Sequence, residues 1–261
     1  MNTLDSSPVS TARSAAAQRV HMMQAVACED APKLAQARCS SCSLRGVCLP
    51  ADLTPAELER IDALVCTTRP VRRGEALFRA HDEFQSLYAV RTGSFKTSIM
   101  HRDGYEQVTG FHIPGDPLGL DGISCGYQSC EAVALEDSTV CVIPFGQLET
   151  VCGESRRMQR HLYHLMSAEI VRESGLMMLL GKMTAEQRLA SFLLDLAARF
   201  RLRGYSGAKF NLKMSRDEIG GFLGIKLETV SRMFSRFQRE GFVQTQGRQI
   251  QILDAEKLAQ V

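Results

Sequence analysis

The sequence predicts an α+β protein in which a small β-barrel, a long helix and a C-terminal helix–turn–helix follow one another along the chain. Three observations lead to this prediction. Short β-like runs separated by glycine, aspartate and proline turns fill residues 69–145. An apolar stripe with helical spacing follows within residues 146–183. The last third then contains a short helix, a glycine and a longer helix, which is the helix–turn–helix pattern.

The first 38 residues are rich in alanine and serine and show no sustained hydrophobic period. We expect residues 1–38 to be a disordered leader, although an organelle transit peptide would share this composition. No apolar run approaches the roughly 20 residues that a membrane helix needs. We therefore expect a cytoplasmic protein with no membrane contact.

The cysteine-rich segment and the β-like runs together form the predicted sensor domain, residues 39–145. A short helix begins after Thr54, because Thr54 suits the N-cap, Pro55 the first helical position and Glu57 the third. Turn signals at 91–93, 102–104 and 114–116 then separate strands at the spacing of a small barrel.

The long helix, residues 146–183, is the predicted dimerisation element. Its apolar stripe can pack on the barrel or on a second copy of itself, and the pattern alone leaves both open. For a parallel homodimer the expected seam residues are Leu162, Met166, Ile170, Glu173 and Met177. Glu169 and Glu173 would each meet their own copies, and like charges there repel by on the order of 1 kcal/mol. The alternative is that both glutamates face solvent.

The predicted DNA-binding domain, residues 184–261, contains most of the positive charge. The whole chain has a formal net charge of +2, but residues 182–253 carry 13 basic and 6 acidic side chains. A net +7 on one third of a nearly neutral protein indicates a polyanionic partner, and double-stranded DNA is the partner that the helix–turn–helix suggests. A solvated basic face without a partner is the alternative.

The helix–turn–helix is marked by its caps. Ser215 and Glu218 form a capping box, Gly224 ends the first helix, and the second runs over residues 227–240. Apolar side chains at 230, 234 and 237 should face the core. The residues left exposed near the start of the second helix suit base edges in a major groove, and they are Glu228, Thr229, Ser231 and Arg232. A solvent-facing ion pair between Glu228 and Arg232 is the alternative.

Nine cysteines without a secretory signal indicate metal or redox chemistry rather than disulfides. Three of them form Cys39-x2-Cys42-x5-Cys48, and soft thiolates at this spacing select zinc, copper(I) or iron–sulfur. Iron–sulfur is favoured because structural zinc usually takes two paired motifs and only one is present. A fourth ligand is needed, and spacing leaves six candidates: Cys28, Cys66, Cys125, Cys130, Cys141 and Cys152.

Five stretches give the chain a resemblance to the Crp/Fnr regulators, above all to the oxygen-sensing fumarate and nitrate reduction type. They are Cys39-x2-Cys42-x5-Cys48, Ser86–Gly93 (SLYAVRTG), Thr109–Ile113 (TGFHI), Val140–Phe145 (VCVIPF) and Leu227–Arg232 (LETVSR). The resemblance covers most of residues 39–253. It implies a cyclic-nucleotide-binding-like jelly roll and a winged helix–turn–helix.

The resemblance also implies the function. Cys141 would be the fourth ligand of a [4Fe–4S] cluster, beside Cys39, Cys42 and Cys48. An intact cluster would promote dimerisation and binding to a TTGAT-like inverted repeat, and oxygen would reverse both. Glu228, Ser231 and Arg232 match the family's E-x-x-S-R base-contacting residues. The implied protein is an activator of anaerobic metabolism that also contacts RNA polymerase.

Several features lie outside this pattern or argue against other functions. The remaining cysteines (Cys28, Cys66, Cys125, Cys130 and Cys152) have no counterpart in it, and we expect them to be buried small hydrophobic residues. No lysine or arginine lies between Phe111 and Val140, so we expect no cyclic nucleotide. The sequence contains no evident nucleophile–base pair, so we do not expect an enzyme. The spacing of His161 and His164 fits a helix face. A zinc-stabilised or cluster-free regulator of the same fold is the main alternative, and an iron–sulfur redox protein is a third.

Overall fold

The computed structural model describes residues 38–65 and 67–261. The expected leader therefore lies outside the described residues, apart from Arg38. The α-helices are α1 (Arg45–Cys48), α2 (Pro55–Leu64), α3 (Phe145–Glu154), α4 (Arg156–Lys182), α5 (Ala185–Leu202), α6 (Arg216–Leu223), α7 (Leu227–Arg239) and α8 (Ala255–Ala259). Short 3₁₀ turns lie at Cys39–Ser41 and Leu120–Ile123.

The strands belong to two groups. Those of the sensor domain are β1 (Thr67–Val71), β2 (Ala76–Phe78), β3 (Ser86–Thr92), β4 (Phe95–Met100), β5 (Glu106–His112), β6 (Pro117–Leu118), β7 (Glu131–Ala134) and β8 (Ser138–Pro144). Those of the C-terminal domain are β9 (Lys209–Asn211), β10 (Val243–Gln246) and β11 (Gln249–Ile252).

The sensor strands form two four-stranded antiparallel sheets, β1-β8-β3-β6 and β2-β7-β4-β5. Apolar side chains from both sheets, among them Val71, Phe95 and Val140, make one buried cluster. The predicted α+β architecture is confirmed. The sheets themselves are not closed into a barrel, because their edge strands β6 and β5 pair on one side only.

Helix α2 connects the cysteine segment to the start of the long helix. Its expected capping box is formed by Thr54 and Glu57, with Pro55 in the first turn. Glu57 also accepts a 2.6 Å hydrogen bond from the hydroxyl of Ser155, which is the N-cap of α4. These hydrogen bonds lower the pKa of Glu57 to about 2, so the carboxylate stays charged and holds α2 to α4.

The long helix α4 has 27 residues but only Met158 is fully buried. Farther along, Ile170 and Met177 are 63% and 68% exposed. An apolar stripe left open on a long helix is typical of a surface that a second helix covers. No helix of the described residues is both long and apolar enough to cross a membrane.

The C-terminal domain packs α5, α6 and α7 over a three-stranded sheet of order β10-β11-β9, which is the expected wing. Its core continues into the sensor domain. The ring of Phe111 on β5 lies 5.8 Å from that of Phe192 on α5 and 5.3 Å from that of Phe222 on α6. The DNA-binding domain is therefore seated directly on the second sensor sheet.

Candidate metal centre and nucleic-acid interface

Four cysteines line a single cavity of about 100 Å³ between the N-terminal segment, the first sensor sheet and α4. Cys39 and Cys42 lie at the 3₁₀ turn, Cys48 ends α1, and Cys141 lies on β8. The structure thus brings together the three thiols of the sequence motif and the cysteine that the resemblance implied.

Local hydrogen bonds fold the cysteine segment into this wall. The turn closes with Cys42 N–H donating to the carbonyl of Cys39 at 3.2 Å, and Ser40 N–H donates to Asp62 of α2 at 3.0 Å. The Cys48 thiol lies 3.8 Å from the carbonyl of Gly115. On the other side, β8 is an inner strand, and Cys141 pairs with one residue of β1 and one of β3. Three thiols therefore lie on a short segment and one on the middle of a sheet.

The cavity disfavours free thiolates. Burial, with the neighbouring thiols, raises the pKa of Cys39 and Cys48 to about 12. Burial also raises the pKa of Cys141, although Arg91 opposes this shift through its charge and a hydrogen bond. These thiols remain protonated at neutral pH unless a cation replaces the protons. A metal group would supply that charge.

The donor set fits an iron–sulfur cluster, in which each of four irons takes one thiolate. Most of the cavity wall is apolar, and its lining cations are Arg45 and Arg91. Burial lowers the pKa of His161, which also lines the cavity. Among the residues that the structure describes, no carboxylate lines the cavity. Within residues 38–65 and 67–261, no three histidine, cysteine, aspartate or glutamate side chains are close enough to hold one metal ion.

The other cysteines fall into three groups. Cys130 and Cys152 are buried in apolar clusters, as expected of small hydrophobic residues. Neither lines the cavity, although Cys152 shares its cluster with Cys39 and Cys141. Cys125 is exposed, so the expectation was wrong there, because the 3₁₀ turn ends before it and leaves it on a surface loop. Cys28 and Cys66 lie outside the described residues.

Helix α4 forms one wall of the cysteine cavity, through Met158, His161, Leu162 and Leu165. The His161 ring nitrogen Nε2 lies 2.9 Å from the carbonyl oxygen of Cys48. Its spacing along α4 predicts only a helix face for His161 and does not reveal which loop the ring meets. Leu162, expected at a dimer seam, packs into the cluster beside α2 and α3.

The other expected seam residues differ in their surroundings. Met166 is half-buried beside the second sensor sheet, whereas Ile170, Glu173 and Met177 are exposed. Glu169, which was expected to meet its own copy, is half-buried and pairs with Arg172 on the same helix at 3.0 Å. Arg172 thus neutralises one of the two glutamates within its own chain, which leaves Glu173 as the open charge.

The predicted recognition helix is α7. Its apolar residues Val230, Phe234 and Phe237 are buried in the domain core, as expected. On the opposite side Glu228, Ser231 and Arg232 are exposed, while Thr229 is half-buried and accepts a 3.2 Å hydrogen bond from Arg232. The four candidate base-contacting residues therefore share one accessible end of one helix. Leu227, the first residue of α7, is also partly exposed at this end, so the accessible surface combines polar side chains with one apolar side chain.

The turn before α7 follows from local chemistry. The capping box of Ser215 and Glu218 opens α6, and Gly224 ends it with φ +64°. Arg216, in the first turn of α6, stacks over the Phe234 ring at 3.3 Å. This cation–π contact joins the two helices, and the sequence analysis did not identify it because the two residues are 18 positions apart.

Known proteins share this arrangement. A model of the cyclic nucleotide-binding domain matches residues 68–155, and one of the Crp-like helix-turn-helix domain matches residues 187–261. The transcriptional activator protein anr of Pseudomonas aeruginosa is 45% identical over 86% of this chain and 92% of that protein. The fumarate and nitrate reduction regulatory protein of Escherichia coli is 40% identical, over 85% and 89%. The structure of FixK2 from Bradyrhizobium japonicum superposes with a TM-score of 0.69 at 31% identity, covering 74% and 96%.

Fold, basic C-terminal domain and open recognition helix define a DNA-binding transcription regulator with an attached sensor domain. The chain belongs to the Crp/Fnr family. Members of this family regulate transcription and are not enzymes.

Proposed function

We propose that this protein is an oxygen-responsive activator of anaerobic metabolism that carries a [4Fe–4S] cluster on Cys39, Cys42, Cys48 and Cys141. The observation that carries the proposal is the convergence of these four thiols on one largely apolar cavity. The names of two relatives, a transcriptional activator and a regulator of fumarate and nitrate reduction, support the same function.

The cavity wall offers a route from the cysteines to dimerisation. When bound, the cluster supplies an oxygen-reactive centre that joins the four thiolates. His161 and Leu162 of α4 line the same cavity, and His161 contacts the carbonyl of Cys48. A shift of the Cys48 segment therefore changes the packing of α4 against that segment. Two copies of α4 then associate through Ile170, Glu173 and Met177. Because operator binding needs both copies, a small change in dimer stability changes DNA occupancy strongly.

At the other end, α7 contacts the operator. Arg232 can pair with guanine, Glu228 can accept from cytosine, and Ser231 can bond either base edge. With the implied TTGAT-like half-sites, the operator is an inverted repeat bound by a homodimer. The dimer works in the cytoplasm, where bacterial DNA and RNA polymerase are found, and contacts polymerase when it activates.

The sensor domain does not bind a cyclic nucleotide in this proposal. A cavity of about 420 Å³ between the second sheet and α4 is lined by Thr97, His112, Glu169 and Arg172, among others. A cyclic phosphate needs a free cation, and Arg172 is already paired with Glu169. Asp121 and Glu173 also line this cavity and add negative charge.

Anaerobic purification followed by an absorbance spectrum and iron and sulfide assays tests the proposal. We expect about four irons per chain and a broad visible absorbance that changes when air is admitted. On the same samples, the dimer fraction measured by sedimentation and the affinity for the operator should decrease together with the visible absorbance. Zinc without colour would exclude the oxygen sensor and favour a zinc-stabilised regulator, while DNA binding would still stand.

A further inference from the structure

The loop of residues 113–116, between β5 and β6, lies between the cysteine segment and the C-terminal domain. On one face, the carbonyl of Gly115 lies 3.8 Å from the Cys48 thiol. A Cβ added to Gly115 would lie 2.8 Å from Val47, and its φ of +94° also favours glycine. On the other face, the same loop contacts α5, the first helix of the DNA-binding domain. The loop therefore touches both functional regions.

Asp116 is the centre of the contact with α5. One carboxylate oxygen pairs with Arg199 and the other with Arg203. The same two arginines donate to backbone carbonyls of the sensor domain, Arg199 to Phe111 at 2.7 Å and Arg203 to Pro114. The loop closes on itself because Ile113 N–H donates to Asp116 at 2.7 Å. Each group of the network thus has a partner.

These ion pairs are shielded from water. The side chains of Asp116, Arg199 and Arg203 are 15%, 20% and 5% exposed. Burial alone would raise the pKa of Asp116, but the two guanidinium groups outweigh it and hold the carboxylate charged. A buried, fully bonded charge network tolerates little displacement, since any shift leaves a charge without its partner.

A second group of contacts holds the domain at its other side. Lys96 on β4 lies 3.5 Å from Glu218 of α6, and the Gln107 amide donates to the carbonyl of Gly221 at 2.7 Å. Two separated groups of contacts fix both the orientation of the C-terminal domain and its distance from the sensor domain. The Asp116 network is the more buried of the two.

We propose that Asp116 is a positioning residue that holds the helix–turn–helix domain in one orientation and so sets the half-site spacing which the dimer accepts. The proposal rests on the proposed function as a dimer that binds an inverted repeat. One added base pair moves a half-site by about 3.4 Å and turns it by about 35°. A dimer whose domains are held rigidly should bind a repeat of altered spacing weakly, whereas a dimer with loosened domains should bind it nearly as well as the natural repeat.

The test compares Asp116→Asn with the wild type on inverted repeats whose spacer is natural, one base pair shorter or one longer. Affinities are measured anaerobically by fluorescence anisotropy. We expect the preference of the wild type for the natural spacer to fall by about tenfold in the variant. Asp195→Asn is the matched control, because Asp195 pairs with the same Arg199 at 3.6 Å but is 66% exposed. It should keep the wild-type preference.

A second variant separates positioning from folding. Arg203→Gln removes the other half of the network and should relax spacing in the same way, while Asp116→Glu should restore most of the preference. Visible absorbance and sedimentation, recorded on every variant, should match the wild type. Unchanged spacing preference in both Asp116→Asn and Arg203→Gln would overturn the inference. So would a loss of affinity equal on all three spacers, since a structural role alone gives that result. Loss of the cluster or of operator binding in the wild type would instead count against the proposed function.

Discussion

The two functional regions of this molecule are built in opposite ways. The recognition helix and its turn are specified within residues 215–241 by caps, a glycine and an apolar period of the helix. The cysteine cavity joins residues 39–48 to Cys141, which lies 93 residues beyond Cys48 and on a different element. A locally specified site depends on its own segment, whereas a convergent site depends on the whole sensor domain.

The largest effect is expected when Cys141, the distant cysteine of the cavity, is removed. We expect Cys141→Ala to lose nearly all iron and visible absorbance after anaerobic purification, because three thiolates leave one of about four irons without its protein ligand. Cys125→Ala is the control, since Cys125 is exposed on another loop. Iron that stays bound in Cys141→Ala would mean that another thiol completes the site, such as Cys152, which shares the apolar cluster of Cys39 and Cys141.

The local region is tested on its own by Arg232→Ala. Removing a bidentate base contact should weaken operator binding by about 1–3 kcal/mol and leave the iron content unchanged. Arg239→Ala, at the far end of α7, keeps the same change of charge and is the control. Equal losses in the two variants, measured by anisotropy at one salt concentration, would indicate general electrostatic attraction instead of base contact.

A fall in pH should lower the stability of the sensor domain through the protonation of His112. Burial, together with Arg172 and Arg199 and against Asp116 and Glu169, lowers the pKa of His112 to about 4. The neutral ring therefore stabilises the fold fully above pH 6.5, and this contribution is lost as the pH falls towards 4.

We expect the free energy of unfolding to drop by about 2 kcal/mol more in the wild type than in His112→Gln between pH 7.5 and pH 5. Glutamine can keep the hydrogen bond to Thr97, which lies 3.2 Å from His112. Urea unfolding at several pH values measures the difference, and His164→Gln, on an exposed position, should follow the wild type. Parallel pH curves for wild type and His112→Gln would refute the assignment.

The smallest expected effect concerns the dimer seam. Glu173→Ala removes the charge that meets its copy and should strengthen dimerisation in air by about 1 kcal/mol. Sedimentation of aerobic samples measures it, with Glu149→Ala on the exposed face of α3 as control. A variant that remains as monomeric as the wild type would mean that Glu173 faces solvent in the dimer.

The same contrast explains what the sequence could predict. Ser215, Glu218 and Gly224 act on neighbours within about ten residues, so the caps and the helix–turn–helix were predictable from residue type and spacing. The fourth thiol was not, because spacing left six cysteines equivalent and only the family resemblance selected Cys141. In the fold, β8 lies between β1 and β3, and its Cys141 lines the same cavity as the three thiols of the motif.

Contacts between domains were outside the reach of sequence analysis. Asp116 and Arg203 look like ordinary surface charges in the sequence, and so do Glu169 and Arg172, but all four are at least half-buried in the fold. Asp116 and Arg203 pair across two elements that only tertiary packing brings together, whereas Glu169 and Arg172 pair within one turn of α4. The expected contact of Glu169 with its own copy stays a prediction, and its ion pair with Arg172 is a local one, three residues along α4.

The four thiols are held by two different kinds of structure, and this difference affects how the proposed cluster would be reassembled. Cys141 belongs to an inner strand with hydrogen bonds on both sides, while its three companions lie on a short segment anchored by few bonds. Inner strands open rarely, and such segments open often. If the four thiols hold the proposed cluster, the three-thiol segment is the part of the site that would open more readily, while Cys141 would stay in the sheet. Iron and sulfide would then reach the three thiols first, and Cys141 would complete the site.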